Sequence, residues 1–472
     1  MIYTAIEPIA FSRVFTRKIP PVIASILLFL VLSWLGYEFF KKFLRDNTHH
    51  RISLGEKILS PQTNPSKQTG VQAFSQGDFA AAIVHFQTSL QSQPNDPETR
   101  IYWNNAKAAT KTPLKIAVSV PIGGNLNVAQ EMLRGVAQAQ EKVNTKGGIN
   151  GAFLQVAIAN DNNNPKWAEK IAQTFVKDGS ILAVVGHNSS DASLAASSVY
   201  QAQELVMISP TSDAKELSTV GHFIFRTIPG LWFQTDLLRR YALKVANLQK
   251  IVICIDSKAA YSLSLKQEFT LAFSSTGGRI LAVDCDFSDP NFNPEIILSE
   301  SVKMGAQALL LIPSVDRLSL AMDLARANRG KLALLGSSTL YTFQTLEQGK
   351  EAVEGMVLAV AWHPNYNIKS EFVNQALELW GGQVNWRTAM AYDATLAIAE
   401  GLKESTTRTG LQAVLSSWGF SVEGASGEVQ FLPSGDRNGS AILIQIQPVN
   451  SSTSGTGYDF VPINIEILNK KN

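Results

Sequence analysis

The clearest pattern lies between residues 114 and 232, where short, mainly apolar runs alternate with longer stretches of mixed polarity. The runs fall at 114–120, 153–158, 181–185 and 206–208. Polar turns follow the last three: Asn160-Asp161, Gly186-His187-Asn188-Ser189-Ser190, and Ser209-Pro210-Thr211-Ser212. Strand-length apolar runs separated by helical patterns of roughly 15 residues predict βαβ units and a parallel sheet. Ligands of open α/β sheets bind beyond the carboxyl ends of the strands, where these glycine- and hydroxyl-rich turns stand.

Two other patterns precede this region. Residues 22–40 are apolar except for Ser25, Ser33, Gly36 and Glu38. At a rise of about 1.5 Å per residue such a run nearly crosses a bilayer core of about 30 Å. It ends in Phe39-Phe40-Lys41-Lys42, which offers no small-residue cleavage site, and no cysteine stands nearby to carry a lipid. The expectation is an uncleaved transmembrane anchor over 20–42 behind a short tail, 1–19, with Trp34 and Tyr37 toward one interface. The flanking cations, Arg13, Arg17 and Lys18 before the span and Lys41, Lys42, Arg45 and Arg51 after it, favour a cytoplasmic C-terminus.

Residues 63–96 resemble a single tetratricopeptide repeat, with Gly70, Gly77, Ala82, Phe86 and Pro94 at that repeat's spacing. Small residues let two helices approach, Phe86 fills the gap, and Pro94 ends the second helix. A third helix at 97–109 supplies Ile101, Tyr102 and Ala106 as a cap. Thr69 and Ala73 depart from the repeat's usual larger residues, and stacked repeats need about three units, so this one should pack on a neighbour. The helical segment, 60–111, reads as a spacer between the membrane and the α/β region that follows, the other reading being a peptide-binding or dimerising module.

Composition narrows the classes. At 472 residues the chain exceeds one domain of roughly 150. A net charge of +2 gives no surplus to neutralise phosphates, which argues against nucleic acid. The two cysteines, Cys254 and Cys285, form no zinc motif; they read as two buried small apolar residues, with a disulfide as the other reading. Six scattered histidines offer no metal cluster, and His187 reads as structural. No nucleophile elbow, P-loop, Rossmann fingerprint or H-E-x-x-H stands in a strand-to-helix context, so neither an enzyme nor a cofactor is expected.

Six phrases then carry a family resemblance. They are Gly147-Gly148-Ile149-Asn150-Gly151, Val184-Val185-Gly186-His187, Met207-Ile208-Ser209-Pro210, Phe225-Arg226-Thr227, Ala391-Tyr392-Asp393-Ala394, and Gly427-Glu428-Val429-Gln430-Phe431 followed by Gly435-Asp436-Arg437. In this order, over about 330 residues, they resemble the type I periplasmic-binding family, the branched-chain amino-acid and amide-type solute receptors of ABC importers. The resemblance implies a two-lobed α/β fold over 112–447. Lobe one would span about 114–232 and 362–430, lobe two about 233–361 and 441–447, and 448–472 would form a tail with a last apolar strand. Strands of lobe two would lie at 251–255, 280–283, 308–312 and 332–335, followed by cleft-facing turns. The resemblance also sets the receptor outside the cytoplasmic membrane, against the charge count, and we follow it.

The family holds a ligand α-carboxylate with hydroxyl and backbone N–H groups after the third and fourth strands. Counted onto this chain, these fall on Ser190 and on Thr211, Ser212 and Asp213. Unpaired N–H groups at a helix start favour an anion. Ser190 also suits a helix cap, and one side chain can serve both roles. Tyr261 matches the family's lobe-two tyrosine. Two departures stand out: Asp213 replaces a usual threonine, and Ser338 stands where an acid often receives the ligand ammonium. Either Asp213 pairs with a ligand cation or the ligand is not a plain α-amino acid; Asp256 and Asp316 are further sources of negative charge. Trp232 and Trp362, near the expected hinges, read as core before pocket. The resemblance thus implies a membrane-anchored solute-binding protein that presents a small polar, amino-acid-like ligand to an ABC permease. A fixed sensor or regulator of the same fold, acting through the helical segment, is the alternative.

Overall fold

The computed structural model describes residues 31–34, 48–366 and 370–464. Apart from the four helical positions 31–34, the apolar run over 22–40 lies outside the described residues. Among the described residues no helix is long and apolar enough to cross a membrane. Residues 50–472 form a unit separate from 1–49, and the following concerns that unit alone.

Its first sheet contains β1 (Ile52–Ser53), β2 (Leu114–Val120), β3 (Leu154–Asn160), β4 (Ile181–Val185), β5 (Val206–Ser209) and β6 (Ile224–Arg226), in the order β1-β3-β2-β4-β5-β6. All neighbours are parallel except β1, which pairs antiparallel with β3. The second sheet contains β7 (Lys250–Ile255), β8 (Arg279–Ile280), β9 (Ala308–Ile312), β10 (Ala333–Gly336) and β11 (Val357–Val360). A small hairpin, β12 (Val422–Gly424) and β13 (Gly427–Val429), intervenes before β14 (Ile442–Pro448) and β15 (Tyr458–Pro462) complete the second sheet, ordered β15-β14-β11-β10-β9-β7-β8. β14 and β15 are its antiparallel members. Strands such as β5 and β9 are buried along their whole length, as expected where helices cover both faces of a parallel sheet. The result is a two-lobed α/β fold with mixed, mainly parallel sheets.

Five consecutive parallel strands in each sheet take the same spatial order, second-first-third-fourth-fifth. The connections therefore diverge between β2 and β4 in lobe one and between β7 and β9 in lobe two, which opens a crevice at each reversal.

The chain passes between sheets after β6, after β11 and again after β13, and the sequence phrases marking these passages meet there. Arg226 Nε donates to Asp436 at 2.7 Å, Arg226 N to Gly435 O at 2.9 Å, and Thr227 Oγ1 to Met390 O at 2.8 Å. Arg437 Nη1 lies 3.0 Å from buried Asp393. Three phrases far apart in sequence thus form one charged and hydrogen-bonded knot. Trp362, expected as core, is buried there and donates to Ala425 O at 3.1 Å.

Three expectations need correction. Residues 458–462 belong to lobe two as β15, with Phe460 opposite Ile446 and packed 4.6 Å from the Tyr341 ring, so 448–472 is not merely a tail. Apolar burial of Phe460 supplies the reason. Cys254 and Cys285 form a disulfide, because the segment beyond β8 continues beside β7 and brings their Cα atoms to 4.6 Å. Trp232 is neither core nor pocket: it is exposed and stacks on Phe233 at 3.9 Å.

The helices at the start of the unit, Pro65–Ser75, Phe79–Ser92 and Pro97–Ala109, fall where the sequence pattern places them. A Cβ on Gly70 would come 2.6 Å from the Phe86 ring, so glycine sets the approach of the first two. Instead of a neighbouring repeat, the third helix packs on lobe one. Its buried Asn105 donates to Leu54 O (2.6 Å) and Val156 O (2.7 Å) and accepts from Val156 N (2.8 Å), bonding β3 directly.

Candidate functional site

A cavity of about 570 Å³ lies between the carboxyl ends of the two sheets. From lobe one, Asn188, Ser190 and Asp191 reach it after β4, and Thr211 and Asp213 after β5. From lobe two come Asp256 and Tyr261 after β7, Ser314 and Asp316 after β9, and Ser338 after β10. Five of the six residues singled out from the sequence, Ser190, Thr211, Asp213, Tyr261 and Ser338, therefore line one space.

Ser212 is the exception. Its hydroxyl turns away, toward His187 O (3.2 Å), Asn188 O (3.1 Å) and Ser193 Oγ (2.7 Å). Adjacent residues in an extended turn point oppositely, so Thr211 and Asp213 share a side that Ser212 cannot. The Thr211 hydroxyl is also committed, donating to Asn188 O at 2.8 Å, and Ser209 Oγ ties in through His187 O at 2.9 Å. These bonds lock the two turns together. What they leave open is the backbone of Thr211, whose N–H meets no protein acceptor among the described residues, whereas the N–H of Asp213 turns to its own carboxyl.

Ser189, not Ser190, caps the helix Ser190–Ala202, accepting from Ala192 N at 3.2 Å. Ser190 Oγ accepts from Ala214 N at 3.2 Å, which leaves its proton available for donation into the cavity. His187 is held by Asp161 at 2.6 Å and Tyr200 at 3.2 Å, below the cavity floor, and Asn164 caps the helix Pro165–Lys177.

The electrostatics centre on Asp213. It is 3% exposed, and its polar side-chain partner is Gln234 Nε2 at 3.0 Å. Burial pushes its carboxyl up to about 7, opposed by the Gln234 bond and the charge of Arg226. Asp191 and Asp316 are raised in the same direction by burial, with Asp256 adding repulsion to both. Tyr261, 3.5 Å from Ser338 Oγ, is pushed far up by burial and stays a neutral phenol. The cavity thus concentrates carboxyl groups that a ligand cation would help to ionise.

The lobes touch around this space. Ala260 N donates to Asp191 at 3.3 Å, Lys215 N to Ser264 Oγ at 3.3 Å, and Gln234 to Asp213. These contacts bridge the two lobes beside the cavity.

Among the cavity residues that escaped the sequence reading, two share one helix. Trp386 and Arg387 open the helix Trp386–Glu404, capped by Asn385, and line the same space. Gly135 allows that helix to pack against Leu126–Thr145, since a Cβ there would collide with the Thr388 carbonyl. The second turn's Ala391-Tyr392-Asp393-Ala394 phrase was the available signal, because it fixes which residues precede it at the helix start.

Two similar lobes meeting around a cavity lined by hydroxyl and carboxyl groups define a bilobal ligand-binding fold rather than a strand-edge or surface binder. The chain belongs to the periplasmic binding protein family, whose model matches residues 113–449. The leucine-, isoleucine-, valine-, threonine- and alanine-binding protein of Pseudomonas aeruginosa is 25% identical over 296 residues, 62% of this chain and 78% of that protein. The crystal structure of a leucine-binding protein from Thermotoga maritima superposes with a TM-score of 0.66 at 21% identity, covering 75% of this chain and 99% of that one. A Rhodopseudomonas palustris solute-binding protein of an ABC transporter, in complex with 3,4-dihydroxybenzoic acid, gives 0.64 at 16%, covering 75% and 97%.

Proposed function

We propose that this protein is the extracytoplasmic substrate receptor of an ABC importer, closing on an amino acid or similar small polar ligand. The carrying observation is the cavity between the lobes, where Ser190 Oγ and the open N–H of Thr211 form a donor pair facing carboxyls. Such a pair suits a ligand carboxylate, and the acids suit its ammonium. Contacts from both lobes stabilise the closed state, which is how a ligand biases a hinge. The named leucine-binding relatives support the amino-acid reading, while the aromatic acid held by a protein of the same fold leaves the side chain to local residues.

The run over 22–40 is then the membrane anchor, and the helices between 65 and 109 form a rigid spacer welded to lobe one through Asn105. The Cys254–Cys285 disulfide suits an oxidising, extracytoplasmic compartment.

Full-length protein purified in mild detergent and then denatured is expected to release one small zwitterion, identified by mass spectrometry. Release of none, together with no thermal shift from any amino acid, overturns the reading. Ser190→Ala is expected to weaken the recovered ligand about ten- to a hundredfold, the loss of one charge-assisted hydrogen bond. Titration calorimetry that finds less than a twofold change removes Ser190 from the site.

A further inference from the structure

The first turn of the helix Trp386–Glu404 brings an unpaired charge to the cavity wall. Trp386 and Arg387 are each 2% exposed. The guanidinium carbon lies 4.5 Å from the Trp386 ring centroid, so the two planes are held together. Only Nη1 of Arg387 has a protein acceptor, Tyr341 O at 3.2 Å. Its Nε is buried with no partner, as is Trp386 Nε1, and among the described residues no acceptor meets Nη2. Among the described residues no carboxylate lies within ion-pair distance of Arg387. Glu131, its nearest source of opposing charge, is committed to Arg134, Thr388 Oγ1 and Asn385 N.

Burial draws the Arg387 guanidinium down to about 10, with Glu131 and Tyr261 resisting, so it remains charged at neutral pH. A buried charge without a counterion is strongly unfavourable, and a planar fork of free N–H groups matches a carboxylate in geometry as well as sign. The other cavity cations, Lys258 and Arg317, are exposed and solvated. Among the described residues, Arg387 is therefore the one buried cation in a cavity wall otherwise supplied with acids.

We propose that Arg387, with Trp386 beside it, forms a second carboxylate subsite, so that the ligand is an acidic amino acid of the glutamate type. This rests on the amino-acid reading above and departs from the leucine class named for the relatives. The α-carboxylate meets the donors after β4 and β5, and the side-chain carboxylate meets Arg387.

The test is calorimetric titration of ligand-free, full-length protein with L-glutamate, L-glutamine and L-leucine. Wild type is expected to prefer glutamate over glutamine by about ten- to a hundredfold, the worth of a charge-assisted pair, with leucine weaker still. Arg387→Met is expected to erase that preference by weakening glutamate far more than glutamine. Trp386→Phe, which keeps the ring but removes its N–H, is expected to weaken glutamate by a few-fold. Wild-type preference for leucine or glutamine overturns the subsite whether or not the variants fold. Leucine binding that Ser190→Ala abolishes, without preference for glutamate, overturns the subsite and leaves the receptor. Binding of none of the three overturns both.

Discussion

Asp213→Asn is expected to stabilise the ligand-free protein at pH 8 by up to about 4 kcal/mol. The folded chain holds this carboxyl near 7, against an ordinary value of 3.8, chiefly because it is buried. Below about pH 4 both folded and unfolded chains carry the proton, and Asp213 costs nothing. As pH rises, the unfolded chain releases its proton first, so the folded state is penalised progressively until about pH 7 and fully above it. Asparagine resembles the protonated form and removes that penalty. Its amide also offers a donor to Gln234 Oε1, a buried atom without a partner, while its carbonyl keeps the bond from Gln234 Nε2. Urea unfolding of wild type and variant at pH 4 and pH 8 measures the difference. Equal losses of stability with pH in both proteins would remove Asp213 as its cause. The functional corollary has the opposite sign: a ligand ammonium stabilises the ionised carboxylate, so the same substitution weakens a zwitterion while strengthening the empty receptor. A binding site kept less stable than its sequence allows is the expected cost of poising a charge for a ligand.

Much of this site was legible because parallel strands announce themselves. β4 and β9 are apolar throughout and β5 is apolar up to its terminal Ser209, and glycine and hydroxyl residues mark the turns beyond β4 and β5. The turns carrying Ser190 and Thr211 therefore followed from the pattern, while the family resemblance picked out the individual residues, Asp213 and Ser338 among them. Ser212 was misplaced because a turn's composition does not say which of two adjacent hydroxyls faces the ligand; the carbonyls of His187 and Asn188 decide that. Trp386 and Arg387 were missed for a different reason, although the Ala391-Tyr392-Asp393-Ala394 phrase marked their helix. Nearly every residue of Trp386–Glu404 is buried, so the helix has no polar face whose interruption would draw notice. The disulfide depends on a pairing across 31 residues that include the helix Ala260–Ser274, and β15 on one across about ten residues of loop, and no local period records either. The attachment of the helical segment to lobe one is similar: Asn105 is an ordinary helix residue in sequence, and only the position of β3 makes it a bridge.

Asp393→Ala is expected to destabilise the protein by about 3 to 5 kcal/mol, because it strands a buried arginine. Asp393 is fully buried; it accepts from Ala425 N at 2.5 Å and from Ser426 Oγ, and faces Arg437 Nη1 at 3.0 Å. Burial pushes its carboxyl up while Arg437 holds it down, so the ion pair exists against a desolvation cost. Truncating the acid leaves that cost on Arg437, which is 3% exposed and has little access to water. The location makes the effect more than local. Arg437 Nη1 also reaches Thr227 O at 3.4 Å and Nη2 reaches Glu428 O at 3.0 Å, so one guanidinium ties the passage after β6 to the passage after β13. Any hinge motion of the lobes bends the chain on either side of this knot. Asp393→Leu combined with Arg437→Met removes both charges and is expected to recover part of the loss, the remainder reflecting the carbonyls and hydroxyl that Arg437 no longer satisfies. Urea unfolding of the two single variants and the double variant gives the coupling. A coupling near zero would mean that the shared phrases Ala391-Tyr392-Asp393-Ala394 and Gly435-Asp436-Arg437 are joined by packing alone, and that the hinge does not depend on their charges.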